Sequence, residues 1–450
     1  MTAITTSVFE LFKIGPGPSS SHTIGPMKAG YNFNKSIENI QLSTKPTSIE
    51  IRLYGSLSAT GKGHGTDRAV IAGLLGFKPD NVECDFIDGL ADGKDRQFKS
   101  GEITLPLSIK NVVYAEIKND FPYSNTMLIR LKDGENILFE QEYYSIGGGF
   151  IKWKGEIPTL TRAPAYKYSN MEELKALLIE NDMRLHQIIL ENEMAITDST
   201  EQEIMDKLDD ILDVMKKAVN KGLATEGLLP GTIGLHRKAK DLITSTPKGY
   251  KDPSNFLIRL NAYAFAASEE NAAGHIVVTA PTSGSAGVIP AVIYAMEEDA
   301  DMTREKVREG MLAAAAVGFI AKHNASIAGA EVGCQGEVGV ASSMAAALIT
   351  YAAGFKFWRT ENAAETALEH HLGMTCDPVG GYVQIPCIER NAMGAVKAYN
   401  AFLIATVENI KFHKVTLDEA VKAMAETGKD MSSKYKETSE GGLAVSVPDC

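Results

Sequence analysis

The strongest constraint on this chain is a change in the period of its apolar residues. In SIEIRLYGSL, Ile49, Ile51 and Leu53 alternate and so share one face of a strand. NTMLIRLKDGENILFEQEYY reads as two strands joined across Lys132-Asp133-Gly134-Glu135, and TDRAVIAGLLG as a short helix entered from the glycine-rich GKGHG. Residues 1–152 are therefore predicted to form an α+β unit. GEIPTLTRAPAYKYSN then breaks the pattern with two prolines and several hydroxyls, which predicts a linker over 153–170. Beyond it, residues 171–450 are predicted to be mainly α-helical. Asn170 with Glu173 and Thr200 with Glu203 have capping-box spacing, and each pair opens a long amphipathic stretch, so two long helices are predicted there. Between about 305 and 410, alanine and glycine dominate, which lets buried helices approach closely; none of these runs is long and apolar enough to span a bilayer. A last helix from about Thr416 to Lys429 leaves a tail over 431–450.

A net charge of -12 with no basic block argues against nucleic acid or an anionic membrane and for a small-molecule partner. MTAITTSVFELFKIGPG lacks the basic start, apolar run and cleavage site of a secretory signal, which predicts a cytoplasmic protein. Five widely spaced cysteines in a reducing compartment then leave metal binding, catalysis or inert burial. Cys84, alone in the first half, reads as a small hydrophobe. Cys334, Cys376 and Cys387 each lie among glycine, proline or turn residues at an expected helix or loop end, where free N–H groups stabilise thiolate. The gaps of 41, 10 and 62 residues running from Cys334 to Cys450 do not match the close pairs of a structural zinc site, and spacing alone singles out no metal.

Five segments, KIGPGPSSSHTIGP, YGSLSATGKGHGTD, APTSGSAGVIPAV, GAEVGCQGEVGVASSMAAA and EHHLGMTCDPVGGYVQIPCIERNAMGAVKA, resemble the bacterial iron–sulfur L-serine dehydratases in their fused single-chain form. The resemblance implies a 4Fe-4S cluster on Cys334, Cys376 and Cys387, an N-terminal domain related to the allosteric substrate-binding domain of some phosphoglycerate dehydrogenases, and a homodimer acting on L-serine. An iron with an open coordination position can act as Lewis acid for the departing β-hydroxyl. The base that takes the α-proton should titrate near neutrality, which selects histidine. His64, in a GKGHGTD loop expected to be mobile, is the first choice and His22 the second, while the His370-His371 pair could orient a ligand and His186 and His236 read as structural. For the substrate carboxylate, Ser19, Ser20, Ser21 and Thr23 before an expected helix, and the Thr282-Ser283-Gly284-Ser285 turn, offer hydroxyl and N–H donors. At Tyr123-Ser124-Asn125-Thr126-Met127 the family pattern has His-Pro-Asn-Thr-Met, so Asn125 keeps a polar contact while the histidine's role is in question. Cys450 carries a free α-carboxylate and a β-sulfur, like serine itself, and is expected to occupy the fourth iron as a displaceable mimic.

Three other readings stay open at this level. Pyridoxal-phosphate chemistry would use Ser145–Phe150, SIGGGF, as a phosphate cradle, although such a glycine run also serves as a turn between elements. A cysteine desulfidase-type lyase would use a similar cluster, and a non-catalytic iron–sulfur sensor would want four protein ligands and a closed cluster.

Overall fold

The computed structural model describes residues 2–156, 162–245 and 253–447. The first half builds a five-stranded sheet of order β5-β2-β6-β7-β8, from β2 (Ser48–Leu53), β5 (Val112–Tyr114), β6 (Thr126–Asp133), β7 (Asn136–Ser145) and β8 (Ile151–Trp153). Only β2 and β5 run parallel; the other pairs are antiparallel. The hairpin turn between β6 and β7 falls where the sequence places it, and β2 alternates half-buried and buried residues as the period of two requires. A separate hairpin, β3 (Arg96–Ser100) with β4 (Ile103–Leu107), flanks the sheet core.

Helices Gly25–Ser36 and Thr66–Leu74 supply Met27, Phe33, Val70, Ile71 and Leu74 to a core shared with Ile49, Ile51, Leu53, Ile129 and Leu131. Two glycines set how closely they cross: a Cβ on Gly73 would stand 2.0 Å from the Met27 carbonyl oxygen, and one on Gly30 2.5 Å from that of Val70. Each helix leads directly from a turn that carries a candidate histidine, so this crossing also fixes how His22 and His64 face each other.

The second half is helical. Thr200 caps Glu201–Ala224 through its side chain with Glu203 answering, as the spacing predicts. The other expected long helix, from Met171, is instead two, Met171–Glu180 and Leu185–Thr197. Asn181 caps the first and Asp182 adopts a left-handed φ of 50°, so the chain turns before Arg184 starts the second; the apolar periodicity continues across the turn, which hides the break in the sequence. Leu417–Asp430 matches the expected last helix, with Thr416 as its cap. Buried at the centre, Arg304–Asn324 packs on Val340–Ala352, whose thirteen residues are all buried. A Cβ on Gly310 would lie 2.9 Å from the Leu348 carbonyl oxygen, which is the close approach that the alanine and glycine content predicts. Among the described residues, no helix is long and apolar enough to cross a membrane. The expected linker lies partly outside the described residues, at 157–161.

The two halves are joined by a small sheet in which β1 (Ile14–Pro16) pairs antiparallel with β9 (Ile276–Val278). Ile4, Val8, Leu11 and Phe12, ahead of β1, are buried in the helical core rather than against the sheet.

Gly73→Ala is expected to destabilise the protein by about 1–3 kcal/mol, since the added methyl has no free space. Chemical denaturation checks this; unchanged stability would show that the crossing can open without cost.

Candidate functional site

Three segments of the helical half bring their cysteines to one place. Cys334 follows the short helix Gly329–Val332 and Gly333, whose φ of 74° turns the chain, and it precedes the π-helical turn Gln335–Gly339. Cys387 is the first residue of helix Cys387–Val407. Cys376 sits in an extended stretch that bridges the tail, its N–H donating to the Tyr435 carbonyl and its carbonyl accepting from Glu437 N–H, both at 2.8 Å. All three are buried. Cys334, Cys376 and Glu337 each place a ligand atom within 4.8 Å of the others, and Cys387 lines the same enclosed space.

The surroundings fit a metal–sulfur group. Three soft sulfur donors converge from separate segments, a geometry that suits iron or zinc over magnesium or calcium. A Cβ on Gly329 would stand 3.3 Å from Cys376 Sγ and 2.6 Å from Glu337 Oε2, so the backbone there has drawn close to the donors. The Cys376 thiol is pushed well above its usual range by its hydrogen bond with Cys334 and then by burial; burial and then Cys334 do the same to Cys387. Arg390, held by the Thr375 carbonyl at 2.6 Å and Asp377 at 2.9 Å, places a cation beside them.

The wall opposite the thiols comes from the first half. His64 is 1% exposed and lines the space, and neither of its ring nitrogens has a partner among the described residues. Burial, and next the neighbouring His22, hold its pKa well below the usual value, so its imidazole is uncharged at neutral pH. The loop that carries it is packed, contrary to the mobility expected of GKGHGTD. Thr23 donates to the His64 carbonyl at 2.9 Å and Thr66 to the His22 carbonyl at 2.7 Å, and the two rings lie 4.5 Å apart between centroids.

His22 is fully partnered. Ser56 gives its one hydroxyl proton to the Glu437 carbonyl at 2.6 Å, so its oxygen must accept from His22 Nε2–H at 3.0 Å. His22 Nδ1 then accepts from Ser21 Oγ at 2.8 Å, with Glu437 Oε1 at 3.3 Å. Burial pushes His22 down to about 4 and Glu437 up to about 8, so at neutral pH the two meet uncharged. Glu337 is pushed up to about 8 as well, by burial and then by Glu437, and accepts from Thr282 Oγ1 at 2.9 Å.

The hydroxyl residues divide by role. Ser19 and Gly284 line the space with the thiols. Ser20 Oγ accepts from Ser283 N–H at 3.3 Å, tying the two turns together, and Ser283 Oγ has no partner among the described residues. Ser285 is committed to the Ala280 and Thr282 carbonyls of its own turn. Asn125 is buried with its Oδ1 unpartnered among the described residues, and its carbonyl accepts from the N–H of Ser145, whose Oγ reaches the Ser21 carbonyl at 2.8 Å. Tyr123 packs its ring 5.0 Å from that of Tyr144. His371 is buried with Nδ1 on the Ala367 carbonyl, His370 is exposed, and His186 binds Tyr351 at a helix start. Cys84 opens helix Cys84–Gly89, away from the other cysteines. SIGGGF is a turn between β7 and β8 with all three glycines at positive φ. Cys450 lies outside the described residues. The tail before it crosses the site: Ser439 donates to the Pro378 carbonyl, and Gly442, at φ 63°, lets Leu443 N–H reach Asp377 at 2.8 Å.

Glu337, Ser56, Arg390, Asn391 and Glu437 are site residues that the sequence reading leaves out. Glu337 was findable, being three residues after Cys334 and therefore able to share its side of a helical turn. Asn391, four residues into the Cys387 helix, accepts from Gly287 N–H and donates to the Gly284 and Cys387 carbonyls at 2.8–2.9 Å. Glu437 sits in a polar tail run with no pattern to mark it.

Comparison with known proteins gives two family matches, the serine dehydratase beta chain over residues 7–156 and the serine dehydratase alpha chain over 180–444. The chain is 43% identical to an L-serine dehydratase of Haemophilus influenzae, covering 98% of this chain and 99% of the relative. It is 42% identical to L-serine dehydratase 2 of Escherichia coli and 43% identical to an L-serine dehydratase of Streptomyces coelicolor, each match covering 99% of both chains.

Asn391→Ala is expected to cost about 1–3 kcal/mol of stability, because it leaves the buried Gly287 N–H and the Gly284 carbonyl without their side-chain partner. Denaturant titration measures it; a change under a few tenths would mean that the tie carries no strain.

Proposed function

The chain belongs to the serine dehydratase family, with beta-chain and alpha-chain parts in one polypeptide, and from that premise we propose that it is an L-serine ammonia-lyase converting L-serine to pyruvate and ammonia. What carries this reading is one juxtaposition: three thiols of the helical half face a buried, unpartnered histidine of the first half across a single enclosed space. Cys334, Cys376 and Cys387 would hold a 4Fe-4S cluster. Bound there, the cluster would supply Lewis acidity for loss of the β-hydroxyl.

The remaining roles fall to the chain itself. His64, uncharged and free at both ring nitrogens among the described residues, takes the α-proton on its unprotonated nitrogen. His22, fixed in its Nε2–H form by Ser56, backs His64 and cannot swing away from it. The Ser19–Thr23 turn and the Thr282–Ser285 turn bind the substrate carboxylate; the free Ser283 hydroxyl and the Ser19 hydroxyl at the cavity wall support that assignment. Asn125, with its unpartnered Oδ1, extends this pocket on the sheet side. Loss of the α-proton and the β-hydroxyl leaves aminoacrylate, which tautomerises and hydrolyses to the products. Burial of the thiols and of both histidines excludes water from the reacting atoms.

The tail belongs to the same reading. The bridge between Cys376 and Lys436 and the Leu443 N–H on Asp377 hold the described part of the tail beside Cys376, which supports Cys450 as the displaceable fourth ligand. The division into a 1–152 unit related to an allosteric substrate-binding domain, a linker and a 171–450 catalytic unit is also proposed, in keeping with the extents of the two family matches. A cytoplasmic homodimer completes it.

Anaerobically prepared protein is expected to release pyruvate from L-serine, and Ser substitution of Cys334, Cys376 or Cys387 to remove both bound iron and turnover; turnover by iron-free protein would end this reading. His64→Asn is expected to lower kcat by about 10²–10⁴-fold with little change in KM. A base must be unprotonated to act, and a depressed pKa keeps it so in more acid solution. The acid limb of kcat/KM should therefore lie below pH 6.5, the ordinary histidine value. A limb at or above 6.5 would remove His64 from the role.

A further inference from the structure

A second cavity, of ≈ 730 Å³, opens where the sheet half meets the helical half, and the serine site makes no use of it. Its volume is that of a small-molecule pocket. Phe9, Phe12 and Phe150 form apolar walls around two lysines, Lys13 and Lys28, and Lys35, Lys78 and Lys207 stand at its rim. Lys13 is 9% exposed; its Nζ donates to the Gly148 carbonyl at 2.7 Å and lies 3.3 Å from the centroid of the Phe150 ring. Among the described residues, no carboxylate comes within the 4.0 Å of an ion pair to either Lys13 or Lys28, and Lys28 has no hydrogen-bond partner. Glu10, the acid in the same wall, is held by the Ser7 N–H at 3.0 Å, and Asp80 and Asp210 are exposed; Glu10 and Asp80 favour the charged lysines from beyond ion-pair distance. Lys13 is buried and Lys28 half-buried, and a cation withdrawn from water is ordinarily paired.

We propose that this cavity binds a phosphate-type dianion, either inorganic phosphate or the phosphomonoester of a small metabolite, and that its occupancy is felt at the serine site. Two lysines with no carboxylate at ion-pair distance among the described residues match the two charges of the ligand. Its several acceptor oxygens can reach ammonium groups on separate elements, which a planar carboxylate does less well. Burial and then Lys28 lower Lys13, burial lowers Lys28 while Glu10 and then Asp80 act against it, and an entering anion would favour the charged form of both.

The coupling route is short. Ile24, in the cavity wall, ends the turn Ser20–Ile24 that carries His22. Gly149, also in the wall, is packed so that a Cβ there would come 2.8 Å from Ile24 Cγ2. The Lys13 carbonyl accepts from Thr279 N–H at 2.8 Å and the Lys13 N–H donates to Thr279 Oγ1 at 2.9 Å, three residues before Thr282. One face of these segments lines the cavity and the other carries groups of the thiol site. This second half of the proposal rests on the serine reading; the binding half does not.

Calorimetric titration of the anaerobic holoenzyme with inorganic phosphate is expected to give a Kd on the order of 1 mM. Lys28→Met and, separately, Lys78→Met should weaken binding at least about tenfold, while Lys411→Met, on a distant exposed turn, should not. Glycerol phosphate binding more tightly than phosphate would identify the ester as the better ligand; the reverse order would identify the free ion. Phosphate should shift the KM for serine severalfold in the wild type and not in Lys28→Met. No binding by the wild type, or unchanged binding by both rim and floor variants, overturns the proposal. Binding without a KM shift overturns the coupling. Failure to turn over serine at all would sink the serine reading and leave the phosphate titration to be judged on its own.

Discussion

Three residue pairs hold this structure in register: Ile14 with Val278, Gly15 with Val277 and Pro16 with Ile276. They form the ladder between β1 and β9, the strand pairing that bonds the sheet half to the helical half. The segments on either side extend it, with Lys13 and Thr279 bonded through their backbones, Gly17 N–H donating to the His275 carbonyl, and Asn271 donating to the Pro18 carbonyl at 2.8 Å. From that ladder the chain runs a few residues forward on one side to the serine turn and His22, and on the other to Thr282 and Ser283. A slip of one residue would turn alternate side chains to the opposite face and separate the two donor sets.

Everything beyond the ladder follows from burying polar groups and then having to satisfy them. Ser20 accepts from Ser283, Thr23 and Thr66 lock the two histidine turns to each other, and Asn391 ties the second hydroxyl turn to the cysteine helix. The groups left over are the informative ones. Among the described residues, His64 with both nitrogens free, Ser283 with its hydroxyl free, and Cys334 and Cys376 crowded with Glu337 in a space that Cys387 also lines describe the shape of what is meant to enter. Asp377 draws the tail into the same arrangement, since it holds Thr375, Arg390 and the Leu443 N–H together beside Cys376.

Much of this was legible in the sequence, and the parts that were not share a cause. The period-two strands β2, β6 and β7 and the capped helices from Glu201 and Leu417 are local patterns, and they were read from local residues. The break after Glu180 was hidden because a left-handed aspartate interrupts the helix without interrupting the apolar stripe. The cysteines and histidines were found by residue type and by resemblance. Their partners were not, because Ser56 and Glu437 matter only through contacts 34 and 381 residues distant in sequence. The packing of Ile4 to Phe12 into the helical core is a long-range contact of the same kind. The rigidity of the His64 loop also depends on the remote Thr23 hydroxyl, which is why glycine content alone suggested motion.

The central claim is that three thiols and a histidine from opposite halves enclose one iron–sulfur site at which serine reacts. Mössbauer spectroscopy of anaerobic, ⁵⁷Fe-loaded protein, with and without L-serine, tests it most directly. The account requires four irons per chain, one of which changes its isomer shift when serine is added while the other three do not. Four irons indifferent to serine, or iron that is not held as a four-iron cluster, would contradict it.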